Sequence, residues 1–322
     1  MTQETGLSKR YSDLAVYRQC FLEEAWDAAE LTLPFILPRN ATYNQTLPTP
    51  YQGVGARGIN NLTAKLLLTL FPPNSPFFKF QIDDFTLEEL QQQRAPVEEG
   101  LNSMERAVMD EIEGKAMRVP LNECIRHLLI TGNAVLHVEK DNTVRVFHLD
   151  QYVVRRDPQG KVLEIIVKEK MSRELYKEIF KTSPPNETDT SADGNEKELS
   201  LYTSVKRIDK KIKVRQEVND KRIPGTDSEY PLEKTPWLAL RYNAIDGEDY
   251  GRGFIEEYLG DLKTVEGLSK AIIEGTAAAA KVLFLVKPNG TTKMRTISNA
   301  PNLAVRQGNK DDVTVVQGEK FS

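Results

Sequence analysis

The sequence predicts an α+β fold: helices toward the N-terminus, small antiparallel sheets in the middle, and one long helix near the C-terminal end. Three observations carry this prediction. Ile255, Tyr258, Leu262, Val265, Leu268 and Ile272 are spaced by three and four, which lines them up on one helical face. Leu14, Tyr17, Phe21, Ala25 and Ala28 form a similar stripe near the start, with Glu23, Glu24, Asp27 and Glu30 between them. After Gly132-Asn133 the period drops to two, the signature of strands.

Taken in order, residues 8–31 read as an amphipathic helix that ends at Pro34 and Pro38. Residues 38–50 form a Pro/Thr/Asn loop, and Ala56 to Leu70 a second helix stopped by Phe71-Pro72-Pro73. Phe77 to Ile82 reads as a strand. Residues 83–113 are strongly acidic, with a capping-box pattern at Thr86 and Glu89. Leu101, Met104, Val108 and Ile112 then mark a helix whose charges face solvent or dock a basic partner.

Leu121 to Ile130 is a short helix leading into Thr131-Gly132-Asn133. Val135, His137 and Glu139 alternate with Leu136 and Val138, and Asp141-Asn142 turns the chain into Val144, Val146 and His148. Tyr152 to Val154 and Val162 to Val167 extend the same small antiparallel sheet through an Asp157-Pro158-Gln159-Gly160 turn. Ser172 to Phe180 is a helix. Residues 181–198 are polar and have no apolar period, which predicts a mobile surface loop. Strands resume at Leu199 to Arg207, Lys211 to Val218 and Trp237 to Tyr242. The long helix runs from Phe254 to Ala280, about 40 Å at 1.5 Å per residue, and short strands follow at Val282 to Val286 and Val313 to Val316.

Composition narrows the function classes. At 322 residues, with 39% hydrophobic and 28% charged residues, the chain is long enough to bury a core and to hold two or three modules. No run approaches the ~20 apolar residues of a membrane span, and residues 1–13 are too polar for a signal peptide. Cys20 and Cys124 fit no metal spacing and read as free thiols. The net charge of −4 leaves no cationic surplus for gripping phosphates, so any nucleic acid would be held weakly.

Several patterns invite a chemical reading. Gly53-Val54-Gly55-Ala56-Arg57-Gly58 fits G-x-G-x-x-G, yet Pro48-Thr49-Pro50 precedes it where a dinucleotide fold needs a central strand. His127, His137 and His148 include a pair able to face each other across strands, but lack partners for a metal set. Lys206, Arg207, Lys210, Lys211, Lys213, Arg215, Lys221 and Arg222 form a basic cluster without interleaved aromatics. It reads as a charged strand protecting a sheet edge. Gly260, Gly267 and Gly275 each cost the long helix roughly 1 kcal/mol against alanine. Close packing against neighbouring helices would offset that; tolerated surface glycines are the alternative.

Three blocks resemble the portal (head-to-tail connector) proteins of short-tailed bacteriophages. The first is Asp-Gly-Glu-x-Tyr-Gly-Arg at 246–252 followed by Ile-Glu-Glu-Tyr-Leu-Gly-Asp-Leu at 255–262. The second is Pro-Tyr-Gln-Gly-Val-Gly-Ala-Arg-Gly-Ile-Asn-Asn-Leu-Thr-Ala-Lys-Leu at 50–66, closed by Leu70-Phe71-Pro72. The third is Gly132-Asn133 with Tyr152-Val153-Val154-x-Arg156-Asp157. They lie in the family's order, and none is catalytic.

The resemblance implies a mixed α/β wing over residues 1–249, a stem helix over 250–281 and a clip-like β segment over 282–322. It implies a non-enzymatic subunit of a ring, usually of twelve copies, located at the portal vertex of the virion and made in the host cytoplasm. The ring would admit and release double-stranded DNA, held weakly, with no cofactor and no membrane. Its partners would be copies of itself, the terminase large subunit, tail adaptor proteins, and scaffold and capsid proteins. Lys263, Lys270 and Lys281 become candidate channel-lining residues, and Gly260, Gly267 and Gly275 candidate subunit contacts. The family's returning stem helix, channel loop and crown have no counterpart here, so the chain is expected to be truncated at its C-terminus. The alternatives are a phosphate-binding enzyme using the Gly53–Gly58 loop, or a prophage fragment without function.

Overall fold

The structure is a computed structural model that describes residues 6–39, 46–73, 75–82, 94–182, 184, 198–279, 282–288, 295 and 309–317. It divides into two compact units, Met1–Gly260 and Asp261–Ser322.

The first unit opens with α1 (Leu7–Glu30), α2 (Val54–Leu70), α3 (Arg94–Gly114) and α4 (Arg118–Thr131). Strands β1 (Asn133–Val138) and β2 (Val144–Phe147) follow, then β3 (Tyr152–Arg156), β4 (Val162–Met171) and α5 (Arg173–Phe180). Ser172 caps α5 by accepting a hydrogen bond from the Leu175 amide, which satisfies one of the amides a helix start leaves open. Next come β5 (Leu199–Ile208), β6 (Lys211–Val218), β7 (Lys221–Arg222), β8 (Ser228–Pro231), β9 (Trp237–Arg241), β10 (Asn243–Ala244) and β11 (Gly251–Arg252). A 3₁₀ turn at Ile255–Tyr258 leads into α6 (Leu259–Ala279). The second unit holds the rest of α6 and the antiparallel pair β12 (Val282–Val286) and β13 (Val313–Gln317), with Phe284 opposite Val315.

The single sheet expected across residues 135–167 is two sheets. Strands β2, β1 and β9 form one, and β3, β4, β5 and β6 form the other, with β7 and β8 both paired to β6. The one-turn 3₁₀ segment Leu149–Gln151 separates them and redirects the chain between β2 and β3. Period-two patterning sets which face a residue occupies; it does not say which strand is the neighbour. Phe77 to Ile82 is not a strand. Phe71, Phe77, Phe78 and Phe80 stack edge to face, with ring centroids 5.1–5.4 Å apart, and this irregular segment takes its shape from ring packing. Thr86 and most of the 181–198 loop lie outside the described residues.

The stripe of α1 differs from the expected one. Tyr17 is 72% exposed, whereas Leu7, Tyr11, Leu14, Arg18, Leu22, Ala25, Ala28 and Ala29 are buried. Leu7, Tyr11 and Leu14 pack on Val153, Ile166 and Tyr202 of the larger sheet. Arg18 sits within this apolar stripe. Its Nη1 lies 2.6–3.1 Å from the carbonyl oxygens of Leu149, Asp150 and Tyr152 and the Tyr11 hydroxyl. Its two hydrogens are shared among four oxygens, all crowded at the turn between the two sheets. A buried cation is tolerated only where such acceptors converge.

Arg18 therefore ties α1 to the sheet-to-sheet turn. Arg18→Met would leave these buried oxygens short of a donor and should cost about 3 kcal/mol, read as a lower urea midpoint; Arg18→Lys should cost less. A midpoint unchanged by Arg18→Met would contradict this role.

Candidate functional site

The motif blocks at 132–133, 152–157 and 246–253 converge on one junction, from which the segment leading into α6 departs. Helix α4 stops at Gly132, whose φ of 74° is left-handed and whose amide bonds the Leu128 carbonyl. Glycine takes this conformation without strain. A Cβ here would also stand 2.4 Å from the Arg252 carbonyl carbon, and one on Gly253 would stand 2.5 Å from the Ile130 oxygen. Two backbones thus cross in direct contact.

Asn133 locks the crossing. Its Nδ2 donates to the Gly251 carbonyl at 2.8 Å and to the Thr131 carbonyl at 2.9 Å. In return the Gly251 amide donates to Asn133 Oδ1 at 2.8 Å. The side-chain amide mimics a strand partner and satisfies both backbone groups of Gly251. Asn133 itself is 2% exposed.

The flanking motif residues extend the lock. Tyr250 is buried against Phe21, and its hydroxyl accepts from the Val154 amide at 3.0 Å. Burial raises its pKa well above the ordinary tyrosine value, so it stays neutral. Asp249 Oδ1 accepts from the Arg156 amide at 2.6 Å, and the Arg156 guanidinium donates to the carbonyls of Asp249, Gly160 and Ala239. This one side chain spans β3, the β3–β4 turn, β9 and the 246–252 loop.

Arg252 completes the set. It holds Glu248 with two hydrogen bonds, at 2.9 and 3.2 Å. It reaches Glu256 of the 3₁₀ turn at 3.1 Å and Glu24 of α1 at 2.7 Å. Its guanidinium lies 4.6 Å from the Phe21 ring centroid. The hydrogen bonds to Glu248 push its pKa further up, while burial and then Glu24 raise that of Glu256. Only a planar, multiply donating cation can serve three carboxylates in this way.

Beyond the junction, the regular α-helix begins at Leu259 and not at Phe254. Its 21 residues span about 31 Å, shorter than expected, because Ile255–Tyr258 takes the tighter 3₁₀ form. Lys263 and Lys270 are exposed, as are Gly260 and Gly267. A Cβ added at Gly260 or Gly267 would meet nothing within 4 Å, so among the described residues no close approach requires these glycines. Gly275 is half-buried. Lys281 lies outside the described residues. Leu268 and Ile272 are 60% and 64% exposed.

Among the described residues, the competing chemical readings find no supporting geometry. No strand stands in the described residues before Gly53, so the βαβ frame for a nucleotide is missing. Gly55 serves packing instead: a Cβ there would lie 2.6 Å from the Leu31 oxygen. Gln52 bridges the same spot, donating to Leu31 O and accepting from the Gly55 amide. His137 stacks on Trp237 at 3.8 Å, while His148 contacts Asp150 and stacks with His127. The two strand histidines therefore do not face each other. Most of the basic cluster is not at an edge, because β5 and β6 are both interior strands; only Lys221 and Arg222 form an edge strand, β7. Cys20 and Cys124 are free, and burial pushes the Cys124 thiol up to about 12.

Comparison with known proteins matches the bacteriophage head to tail connecting protein family over residues 4–322. The chain belongs to this family. Among its relatives are the portal protein of Enterobacteria phage T3, 34% identical over 332 residues, and that of Escherichia phage T7, 32% identical over 329. Each alignment covers 98% of this chain. The portal protein of Enterobacteria phage SP6 is 26% identical over 99% of the chain. The chain spans 61% of the length of the T3 and T7 proteins. Among the described residues, no helix is long and apolar enough to cross a membrane.

The roles of Asn133, Asp249, Arg156 and Arg252 were not derivable from spacing. The only signal is a cluster of glycines and arginines in blocks with no catalytic pattern. If the junction works as described, Gly132→Ala and Asn133→Asp should each lower stability by roughly 2–4 kcal/mol. The first clashes with the Arg252 backbone, and the second sets a carboxylate against the Gly251 carbonyl. Thermal unfolding of both variants reads this, and wild-type melting in either would refute it.

Proposed function

We propose that this chain is a portal subunit. Copies assemble into a closed ring at one vertex of the virion capsid, and the double-stranded genome passes through the centre during packaging and ejection. The match to the head to tail connecting family across residues 4–322 carries this reading. In it the ring, built in the host cytoplasm with scaffold and capsid proteins, meets the terminase large subunit first and tail adaptor proteins later. Its role is mechanical, and the terminase supplies ATP hydrolysis.

The surface of α6 supports the reading. Gly260 and Gly267, seven residues apart, share a face, and Lys263 and Lys270 share the adjacent one. A helix with an open glycine face and exposed apolar residues suits packing beside copies of itself. The neighbouring lysines, one with Glu274 4.0 Å away, would offer weak, switching attraction to passing phosphates. The net charge of −4 keeps that attraction from becoming a brake.

Negative-stain electron microscopy of the purified protein should show rings with an axial hole. Particles that remain monomeric across micromolar concentrations would overturn the reading. Lys263→Ala with Lys270→Ala should leave rings intact while altering genome packaging or retention; unaltered packaging and retention would remove these lysines from the channel.

A further inference from the structure

Helix α3 has no buried face. Its 21 residues run from Arg94 to Gly114, and none of its described side chains is buried. Isolated helices of this length are marginal in water, and tertiary packing normally supplies their stability. A stripe is nevertheless present: Val97, Leu101, Met104, Val108 and Ile112 recur at three and four. Met104 and Val108 are 61% and 40% exposed. At 100° per residue, Glu98 and Glu105 border one side of this stripe and Glu111 the other. The helix carries six carboxylates against two arginines. A partner that covered its exposed side would be partly apolar and cationic.

The same chain carries such a surface. On the face of the larger sheet that bears α1, a concavity of about 270 Å³ is lined by Lys206, Lys213, Arg215 and Arg222 against Asp227 and Glu229. Ile208 lies at its margin, 41% exposed. Lys206 stands directly opposite Lys213 in the β5–β6 register. Glu229 pairs with Lys213 at 3.1 Å and Asp227 with Arg222 at 2.7 Å, yet the lining keeps four cations against two carboxylates, a surplus that an anionic partner would meet.

We infer that the apolar stripe of α3, with Glu98 and Glu105, docks against the Lys206–Lys213 concavity of a neighbouring copy of this chain. The inference rests on the ring reading and names the contact that closes it. A ring needs two different, complementary patches on each subunit, because its contacts are heterologous. This chain supplies both: an apolar stripe edged by carboxylates on α3, and a cationic concavity with Ile208 at its margin.

Charge reversal tests it by light scattering after size exclusion. E98K/E105K and K206E/K213E should each shift the protein to smaller species. The fourfold variant should reassemble, and so should a mixture of the two doubles, since each then offers what the other lacks. Recovery in the mixture requires both doubles to be folded. Doubles that assemble as the wild type does, or a fourfold variant and a mixture that stay small, would overturn the interface while leaving the ring intact. A wild type that never assembles would remove the ring reading and this contact with it.

Discussion

The structure depends on a backbone crossing that only glycine permits. Gly132 and Gly253 bring the end of α4 and the chain entering the 3₁₀ turn closer than any Cβ would allow. That approach places Asn133 where it can bond both the carbonyl and the amide of Gly251. Close approach without the asparagine would strand two buried polar groups, and the asparagine without the close approach would have nothing to reach. The two features require each other. The charges around them, Asp249 with Arg156 and Arg252 with three glutamates, then fix the loop that precedes α6.

This dependence explains why the family's motifs look uninformative as chemistry. Asp-Gly-Glu-x-Tyr-Gly-Arg contains no acid–base pair, nucleophile or metal set. Asp249, Tyr250, Gly251 and Arg252 instead each contact a segment far away in sequence, in β3, β1 or α1, while Glu248 holds Arg252 in place. Arg18 is the same device nearby on α1, a cation satisfied by carbonyls where the chain passes from one sheet to the other. In these motif blocks the polar residues sit where elements meet.

Much of the fold was legible in the residues. Helix periodicity located α1, α2, α4 and α6, because an apolar stripe on one helical face recurs at 3.6. Alternation located most strands. What stayed hidden was pairing and neighbourhood. Nothing local says that β2 and β3, separated by four residues, join different sheets, or that Phe77 to Ile82 packs rings in place of a ladder. Arg18 was hidden because polarity conceals a residue in a helical stripe, and Tyr17 was misplaced because aromaticity advertises one. At the junction the glycines were visible, but their partner lay more than a hundred residues away, and only the crossing reveals why Asn133 must be an amide.

The most direct test of this account is residue-resolved hydrogen exchange at the Gly251 amide. It donates to Asn133 Oδ1, so it should exchange as slowly as the core amides of β4 and β5, opening only with the unit as a whole. Exchange at the rate of an open loop amide would show that the crossing is loose, and the central claim would fail.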